Sequence, residues 1–530
     1  MGIRRRLLAA LSALVAAVPV TAAASPALAV GPALLPVTVT NSTGRGEAVH
    51  LYVIGTQLAT GRLGYVNQAG TFVPWSGGQV PPAPAPDASI PGPGTGGTTT
   101  IRFPRGFSGR VYFSFGEKLR FFLTPDGLVQ PAPWAPGDAN RDILFDWSEF
   151  TYNDAGLWLN SSQVDMFAVP HAVTVTGADG VTRRTGDVVA NGRTAIIDGI
   201  RSQPGWANTI HTRSDGAVLR VLAPGKAAGA GLFSTTYLDP YIASAWNAYT
   251  TRTLTVVPFA NQPHIRYFGR TSGTVMTFTN GSGQLVAAFN RPSSASVWGC
   301  DGDLPAPNDQ VVGPISRTLC AALNRGTLGT IDTQPSTNPA EFYRNNPTNH
   351  YARVIHANMV DGKAYAFAFD DVGAFESLVH DSDPRSAGLI LSPFGAGGPG
   401  GPGSGVPLVS NWNDKCIDVP SSNFSDRVPL QTWGCNGTDA QKWTFTGSAV
   451  QSRNNKCLDV DGGATGNGAV IQLYTCNGTG AQQFTLTAGG DLVNLRANRC
   501  VDIKDWNGAD GARLQLWDCA GTANQKWRKG

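Results

Sequence analysis

The chain reads as a mainly β protein of at least two domains, and three observations carry that reading. Apolar and polar residues alternate in LPVTVTNSTG from Leu35, in AVHLYVIGTQ and in GRVYFSFGEKLRFFL. Side chains two apart fall on one face of a strand, so each stretch predicts a half-buried strand of an antiparallel barrel or sandwich. Glycine, proline, threonine and valine are abundant while long amphipathic stretches are few. Residues 408–530 repeat one pattern three times with a period just over forty. A unit that short cannot bury its own apolar face, so three must pack together about a pseudo-threefold axis.

The chain begins MGIRRR, continues through an apolar run from Leu7 to Val20 and reaches Ala27-Leu28-Ala29. These are the three parts of an export leader over residues 1–29, and they predict a secreted, extracellular chain starting near Val30. No later run approaches the roughly eighteen unbroken apolar residues of a membrane-spanning helix, so no membrane partner is expected. Only 15% of residues are charged and the net charge is +3; without a basic block beyond the leader there is no footprint for nucleic acid. Thirteen tryptophans suit a protein that handles neutral polymers. Eight cysteines in an exported chain predict four disulfides. Cys416/Cys435, Cys457/Cys476 and Cys500/Cys519 are each nineteen apart, which leaves Cys300/Cys320 as the fourth pair. Metal ligation is disfavoured because no clustered C-x-x-C or Cys/His arrangement occurs. No cofactor is implied.

Taken in order, the strands from Leu35 are interrupted by residues 80–98 (VPPAPAPDASIPGPGTGGT), too rich in proline and glycine to pair in a sheet and read as a surface loop. Residues 146–170 follow: DWSEFTYNDAGLWLNSSQVDMFAVP. This stretch holds two separated carboxylates, Glu149 and Asp165, and between them Tyr152, Asn153, Trp158 and Asn160, groups that bind sugars well. Glycosidic bonds are cut by one protonated carboxyl and one ionised carboxylate, while aromatic rings stack on sugar faces. The stretch therefore suggests carbohydrate chemistry on Glu149 and Asp165, with Asp146 and Asp154 as the nearest alternatives or as tuners of Glu149 by like-charge repulsion. His171 reads as a packing residue, and no G-x-S-x-G elbow supports a serine hydrolase.

Beyond Pro170, GADG at 177–180 marks a hairpin turn. Residues 239–249 (DPYIASAWNAY) place Tyr241, Ala245, Trp246 and Tyr249 on one face of a helix packed on a sheet. Residues 301–316 read as a loop, with a short helix after Cys320, and residues 365–371 (YAFAFDD) as a buried strand ending in Asp370 and Asp371, two residues more suited to capping a turn than to touching substrate. Residues 395–407 (GAGGPGGPGSGVP) lack an apolar face and form an interdomain linker.

The motif E-F-T-x-N-x-x-G-x-W followed by V-D-x-F-x-x-P resembles the glycoside hydrolase family 64 β-1,3-glucanases of the laminaripentaose-producing kind, over residues 30–394. The resemblance implies an inverting endo-hydrolase of β-1,3-glucan (laminarin, curdlan, fungal cell wall), acting as a monomer. It also implies a thaumatin-like β-barrel part and a mixed α/β part around a wide groove. By motif position Glu149 is then the general acid and Asp165 the general base, with Thr151, Asn153 and Trp158 contacting sugar. Two other readings stay open: a hydrolase of another β-glycan, and a non-catalytic thaumatin-like glycan-binding or antifungal protein.

Within residues 408–530, NDKCIDV…LQTWGC…AQKWTF, NKCLDV…IQLYTC…AQQFTL and NRCVDI…LQLWDC…NQKWRK resemble a ricin B-type β-trefoil lectin, the family 13 carbohydrate-binding kind. A carboxylate accepts sugar hydroxyls while a ring stacks on the apolar sugar face. The matching positions are Asp418, Gln431 and Trp433; Asp459, Gln472 and Tyr474; Asp502, Gln515 and Trp517. Asn524-Gln525 completes only the third set, since Ala440 and Ala481 replace the asparagine in the others, so the third site is expected to bind best, while the Gln of Q-x-W, which recurs with a core aromatic, is open to a structural role in all three repeats.

Overall fold

The computed structural model describes residues 31–125, 127–189, 191–394, 406–446, 448–452, 456–487 and 489–530. The predicted leader and residues 395–405 of the predicted linker lie outside them. The chain divides into two compact units between Ser392 and Pro393.

In the first unit the alternating stretches form strands Leu34–Asn41, Val49–Gln57 and Phe107–Phe115, distributed over two sheets. One sheet has five strands in the order Thr182–Thr185, His171–Gly177, Pro384–Leu391, Leu34–Asn41, Thr98–Pro104. The other runs Leu378–Asp381, Gly156–Ser161, Leu144–Asn153, Phe107–Phe115, Val49–Gln57, Arg62–Val66, Phe72–Pro74. Phe103 and Phe150 stack between them with ring centroids 3.7 Å apart, and Leu35, Val37 and Val39 fill the same interior. The pairing is not wholly antiparallel as the alternation suggested. Leu34–Asn41 runs parallel to Pro384–Leu391, with Val37 opposite Ala387, so the two ends of the unit lie side by side.

Residues 365–371 depart from the expected buried strand. They are not a strand: Tyr365 makes one bridge to Ser162, and the chain then turns from Phe367 to Asp370. Asp370 is fully buried, with Arg325 and His356 each 2.9 Å away, so it holds the turn and is not exposed to substrate. Residues 80–98 are also more ordered than a free loop, because Ala83–Pro84 and Ile90–Pro91 make two-residue pairings at sheet edges, where proline is tolerated.

The remainder of the unit mixes helices with a second five-stranded sheet, which includes Tyr267–Ser272 and Val275–Thr279. Helix Asp239–Ala248 buries Tyr241, Ala245 and Trp246, and Tyr249 follows it into the core. The helix near Cys320 spans Val312–Arg325 and so begins inside the stretch expected to be a loop. Pro314 sits in its first turn, where a missing N–H leaves no helical bond unmade. Cys320 lies on this helix and is bonded to Cys300, both of them buried.

In the second unit the three repeats share one core, including Ile417, Leu458 and Val501. The ring of each Q-x-W/F element, Trp443, Phe484 or Trp527, is buried at its centre. Two of the indoles donate to backbone carbonyls at 2.9 Å, Trp443 to Ile417 and Trp527 to Val501. Strands Leu408–Ser410 and Trp527–Lys529 pair and bring the two ends of the repeat region together.

The repeat disulfides pair as the spacing predicts, Cys416 with Cys435, Cys457 with Cys476 and Cys500 with Cys519. Their two halves are not alike. Cys416, Cys457 and Cys500 lie on strands and are wholly buried. Cys435, Cys476 and Cys519 come just after the strands Gln431–Gly434, Ile471–Thr475 and Ala512–Trp517, where Cys435 and Cys519 are exposed and Cys476 is half-buried. Each bridge therefore fastens a surface segment to the core instead of filling the core itself.

Candidate active site

Strand Leu144–Asn153 lies between Phe107–Phe115 and Gly156–Ser161. The hairpin to Gly156–Ser161 sets the register. Asn153 Oδ1 accepts the Ala155 N–H at 2.8 Å, and Gly156 takes φ 121, where a Cβ would stand 2.2 Å from the Asp381 carbonyl oxygen. Glu149 is thereby opposite Asn160 on one side and Arg110 on the other. Cross-strand partners share a face, so Thr151, Trp158 and Ser108 join them, and Trp158 stacks on His380 of the next strand at 4.3 Å.

Parity separates the other candidates. Asp146 and Tyr152 are an odd number of residues from Glu149 and point to the opposite face. Tyr152 is buried there and its hydroxyl donates to the Pro32 carbonyl at 2.5 Å, which removes it from sugar binding. Asp146 accepts the N–H groups of Trp147, Ala168 and Val169 at 2.8–3.0 Å; burial nevertheless pushes its carboxyl up to about 7. Asp154 is exposed and stands 3.7 Å from Arg105. Neither aspartate replaces Glu149. His171 is buried, with Nδ1 2.8 Å from the Val169 carbonyl, and burial pushes it down to about 4.

Asp165 enters from the segment after Gly156–Ser161. Its carbonyl accepts the Ala223 N–H at 3.0 Å, and Met166 pairs with Leu222. Arg110 joins the two carboxylates: Nε and Nη2 stand 3.0 and 2.9 Å from Glu149 Oε1, and Nη2 is 3.6 Å from Asp165 Oδ2. Distances of 2.9 and 3.6 Å from one nitrogen place those two oxygens at most 6.5 Å apart. Lys226 makes a second ion pair with Asp165 at 3.1 Å while its ammonium lies 4.5 Å from the centre of the Trp134 ring. Arg110 in turn lies 4.7 Å from the centre of the Trp147 ring. Burial raises the Glu149 carboxyl above its ordinary range; Arg110 opposes that rise and the charge of Asp165 adds to it.

In the trefoil unit each repeat aspartate is buried at the end of a strand or one residue before it, Asp418 closing Lys415–Asp418 and Asp459 and Asp502 preceding Val460 and Ile503. Gln431, Gln472 and Gln515 donate to Asp418, Asp459 and Asp502 at 2.8, 2.9 and 3.0 Å. Gln441, Gln482 and Gln525 donate to the same aspartates and to a carbonyl at 3.0 Å, and each accepts a backbone N–H. These glutamines, Gln525 included, brace the aspartates, their amides being taken up by protein. Asn524 donates to Asp502 at 2.7 Å and to the Ile503 carbonyl. Trp433 and Trp517 remain exposed, and Tyr474 is half-buried. Cys435, Cys476 and Cys519 each follow one of these aromatics by two residues, and their partners sit opposite the same aromatics in the strand pairing. The bridges thus tie the strand that carries the ring to the strand that carries the aspartate, and belong to the frame of each site and not to its sugar contacts.

Residues 33–391 match the profile of a family described as beta-1,3-glucanase, glycoside hydrolase family 64, and residues 405–527 match the ricin-type beta-trefoil lectin domain. The chain belongs to glycoside hydrolase family 64. It is 45% identical over 458 residues to a glucan endo-1,3-beta-glucosidase of Arthrobacter sp. (strain YCWD3), covering 83% of this chain and 82% of the relative. The same identity and coverage hold for the enzyme of that name from Cellulosimicrobium cellulans. Among solved structures, a laminaripentaose-producing beta-1,3-glucanase in complex with laminaritetraose is 54% identical, with a TM-score of 0.66 over 68% of this chain and 99% of that one.

The family 64 unit thus brings Glu149, Asp165, Thr151 and Trp158 to one region, while Asn153 has one oxygen committed to its hairpin. Sequence reasoning missed Arg110 and Lys226. Arg110 left one signal, a lone cation in an otherwise apolar and small-residue strand, GRVYFSF. Lys226, on the short helix Pro224–Gly229, left none, because its partner is sixty-one positions away.

Proposed function

We propose that this family 64 chain is a secreted glycoside hydrolase that cuts internal bonds of β-1,3-glucan with inversion at the anomeric carbon, and that its trefoil holds the polymer. The observation that carries the reading is the convergence of Glu149 and Asp165 on the Arg110 guanidinium beside partly exposed aromatic and polar side chains. Glu149 donates its proton to the departing glycosidic oxygen. Asp165 takes a proton from a water molecule whose oxygen bonds to the anomeric carbon as the glycosidic bond breaks.

The environments support that division. Glu149 is the carboxyl that burial keeps protonated to higher pH, and its Oε1 already accepts both Arg110 contacts, which leaves Oε2 to carry the proton. Asp165 makes ion pairs with two cations. Thr151 and Trp158 contact sugar further along the same face, with the Asn153 amide. The thaumatin-like outline and the wide groove belong to this reading, supported by the alternating strands at the start of the chain. Short laminari-oligosaccharides are the expected products, in keeping with the name of the pentaose-producing relative.

Carboxyl groups roughly 6.5–9.5 Å apart leave room for a water, and about 5–5.5 Å suits a covalent intermediate. The 6.5 Å bound on one oxygen pair accommodates either spacing, so the stereochemistry of the product is the test. Proton NMR of fresh product from laminarin should show the α-anomer first, with reducing ends released from laminarin and curdlan and not from xylan. An initial β-anomer overturns Asp165 as base; no release from any glucan overturns the hydrolase reading.

A further inference from the structure

Each repeat of the trefoil unit carries a tight turn just after its aspartate: Pro420–Ser422, Asp461–Gly463 and Lys504–Trp506. The last two residues of each turn are left-handed, with φ 53 and 53 at Ser421 and Ser422, 60 and 63 at Gly462 and Gly463, and 56 and 51 at Asp505 and Trp506. Small residues take that backbone readily, whereas a bulky side chain there is a genuine outlier. The third repeat alone places a tryptophan at this position, and the ring is 49% exposed.

What lies beside the ring is also particular to this repeat. In the third and first repeats the residue four before the first cysteine, Arg496 or Trp412, packs against a turn of another repeat. Arg496 does so over Gly463, where an added Cβ would meet its Nη1 at 3.0 Å. Trp412 is the equivalent residue of the first repeat, and its ring meets Trp506 edge-on with centroids 5.4 Å apart and planes at 88°. Trp412 also covers Gly508, where a Cβ would stand 3.5 Å from the indole. Two aromatic rings thus occupy the place where the second repeat has a glycine and an arginine. The turn that carries Trp506 continues directly from Asp502 and Ile503, and the Ile503 carbonyl is bonded by Asn524.

We infer that Trp506, set against Trp412, is a second stacking platform of the third-repeat site and takes a glucosyl unit beyond the one held by Asp502 and Trp517. The inference rests on the trefoil's binding of β-1,3-glucan. A left-handed backbone that leaves half of an apolar side chain in water carries a cost, whereas a sugar face offers that ring a partner. The site then prefers a run of linked glucosyl units to a single terminal sugar.

The test uses the full chain carrying Glu149→Gln, so that ligand is not consumed, with nitrogen-15 in the indoles. Laminari-oligosaccharides of increasing length are titrated while the indole N–H signals of Trp506 and Trp517 are followed, each assigned by its loss in a single variant. Trp517 should respond to the shortest ligand and Trp506 only to longer ones. Trp506→Gly should weaken the longer ligands about three- to tenfold at Trp517, the effect of one ring contact, and leave the shortest unchanged. Trp506→Phe should restore most of that loss. A silent Trp506 beside a responding Trp517, or a Phe variant no better than Gly, overturns the platform and leaves the lectin reading intact. No response at Trp433, Trp517 or Trp506 overturns the lectin reading and this inference with it.

Discussion

Arg110 holds both carboxylates, and Arg110→Met tests what that contact does to the acid. Its nitrogens stand 2.9 and 3.0 Å from Glu149 Oε1, which puts the charge about 4 Å from the carboxylate. At an effective permittivity of about 20 that pair is worth roughly 4 kcal/mol at most. The arginine side chain keeps 21% of its exposure, so solvent screening leaves the net interaction below that figure. The sign follows from the opposing causes. Burial already raises Glu149 and Arg110 pulls it down, so removing the cation lets the acid keep its proton to higher pH. The alkaline limb of kcat/KM against pH, measured by reducing-end release from a soluble laminari-oligosaccharide, should move to higher pH. The maximum should fall because Asp165 and Glu149 lose their common tether. Breaking a largely buried pair should also lower stability by about 3 kcal/mol or less. An alkaline limb that stays in place or moves down, in a variant with wild-type circular dichroism, refutes this role for Arg110.

Glu149→Gln should lower turnover by orders of magnitude with the fold intact, since no other group on that face donates the proton; near-wild-type turnover removes Glu149 from the chemistry. The same variant reports on linkage. A carboxyl raised above its ordinary 4.5 in the folded state makes wild type lose stability as pH climbs from the unfolded value through the folded one. The melting temperature of the Gln variant relative to wild type should therefore rise across that interval, and a flat difference speaks against a raised Glu149. Truncation after Phe394 should leave hydrolysis of soluble oligomers almost unchanged and reduce hydrolysis of insoluble glucan, because a tethered binder raises the local concentration of polymer. Equal losses on both substrates would mean that the trefoil supports the hydrolase fold.

Much of this molecule was legible because its signals are local. Alternation gave the strands at 34–41, 49–57 and 107–115, equal cysteine spacing gave the disulfides, and period gave the trefoil. What was not legible depends on long-range pairing. Residues 365–371 alternate like a strand, yet Asp370 bends the chain to reach Arg325 and His356, partners that no local pattern names. Arg110 looks like one surface cation until register places it opposite Glu149. Lys226 reaches Asp165 only because Met166 pairs with Leu222. The third trefoil set is complete in sequence, but its Asn524 and Gln525 amides already bond Asp502. Spacing likewise names the partners of Cys435, Cys476 and Cys519 without telling that these three stand at or near the surface while their partners are buried. A motif lists residue types and leaves open whether their polar atoms face ligand or protein.

Behind Glu149 and Asp165 stands a third carboxylate, Asp146. Glu149 and Asp146 are three apart on one strand, and odd spacing sends them to opposite faces. Asp146 Oδ2 accepts the N–H groups of Ala168 and Val169, which lie three and four residues after Asp165. The Arg193 guanidinium holds the Ala168 carbonyl at 2.7 Å. The segment that delivers Asp165 is therefore fastened to the same strand that delivers Glu149, one face supplying the anchor and the other Glu149. This explains why an acidic residue is buried at Asp146 against the cost of desolvation: an apolar residue there would leave backbone donors unpaired and Asp165 without a fixed distance from Glu149. The spacing between Glu149 and Asp165 is thus set behind the sheet, by a carboxylate on the face opposite Glu149.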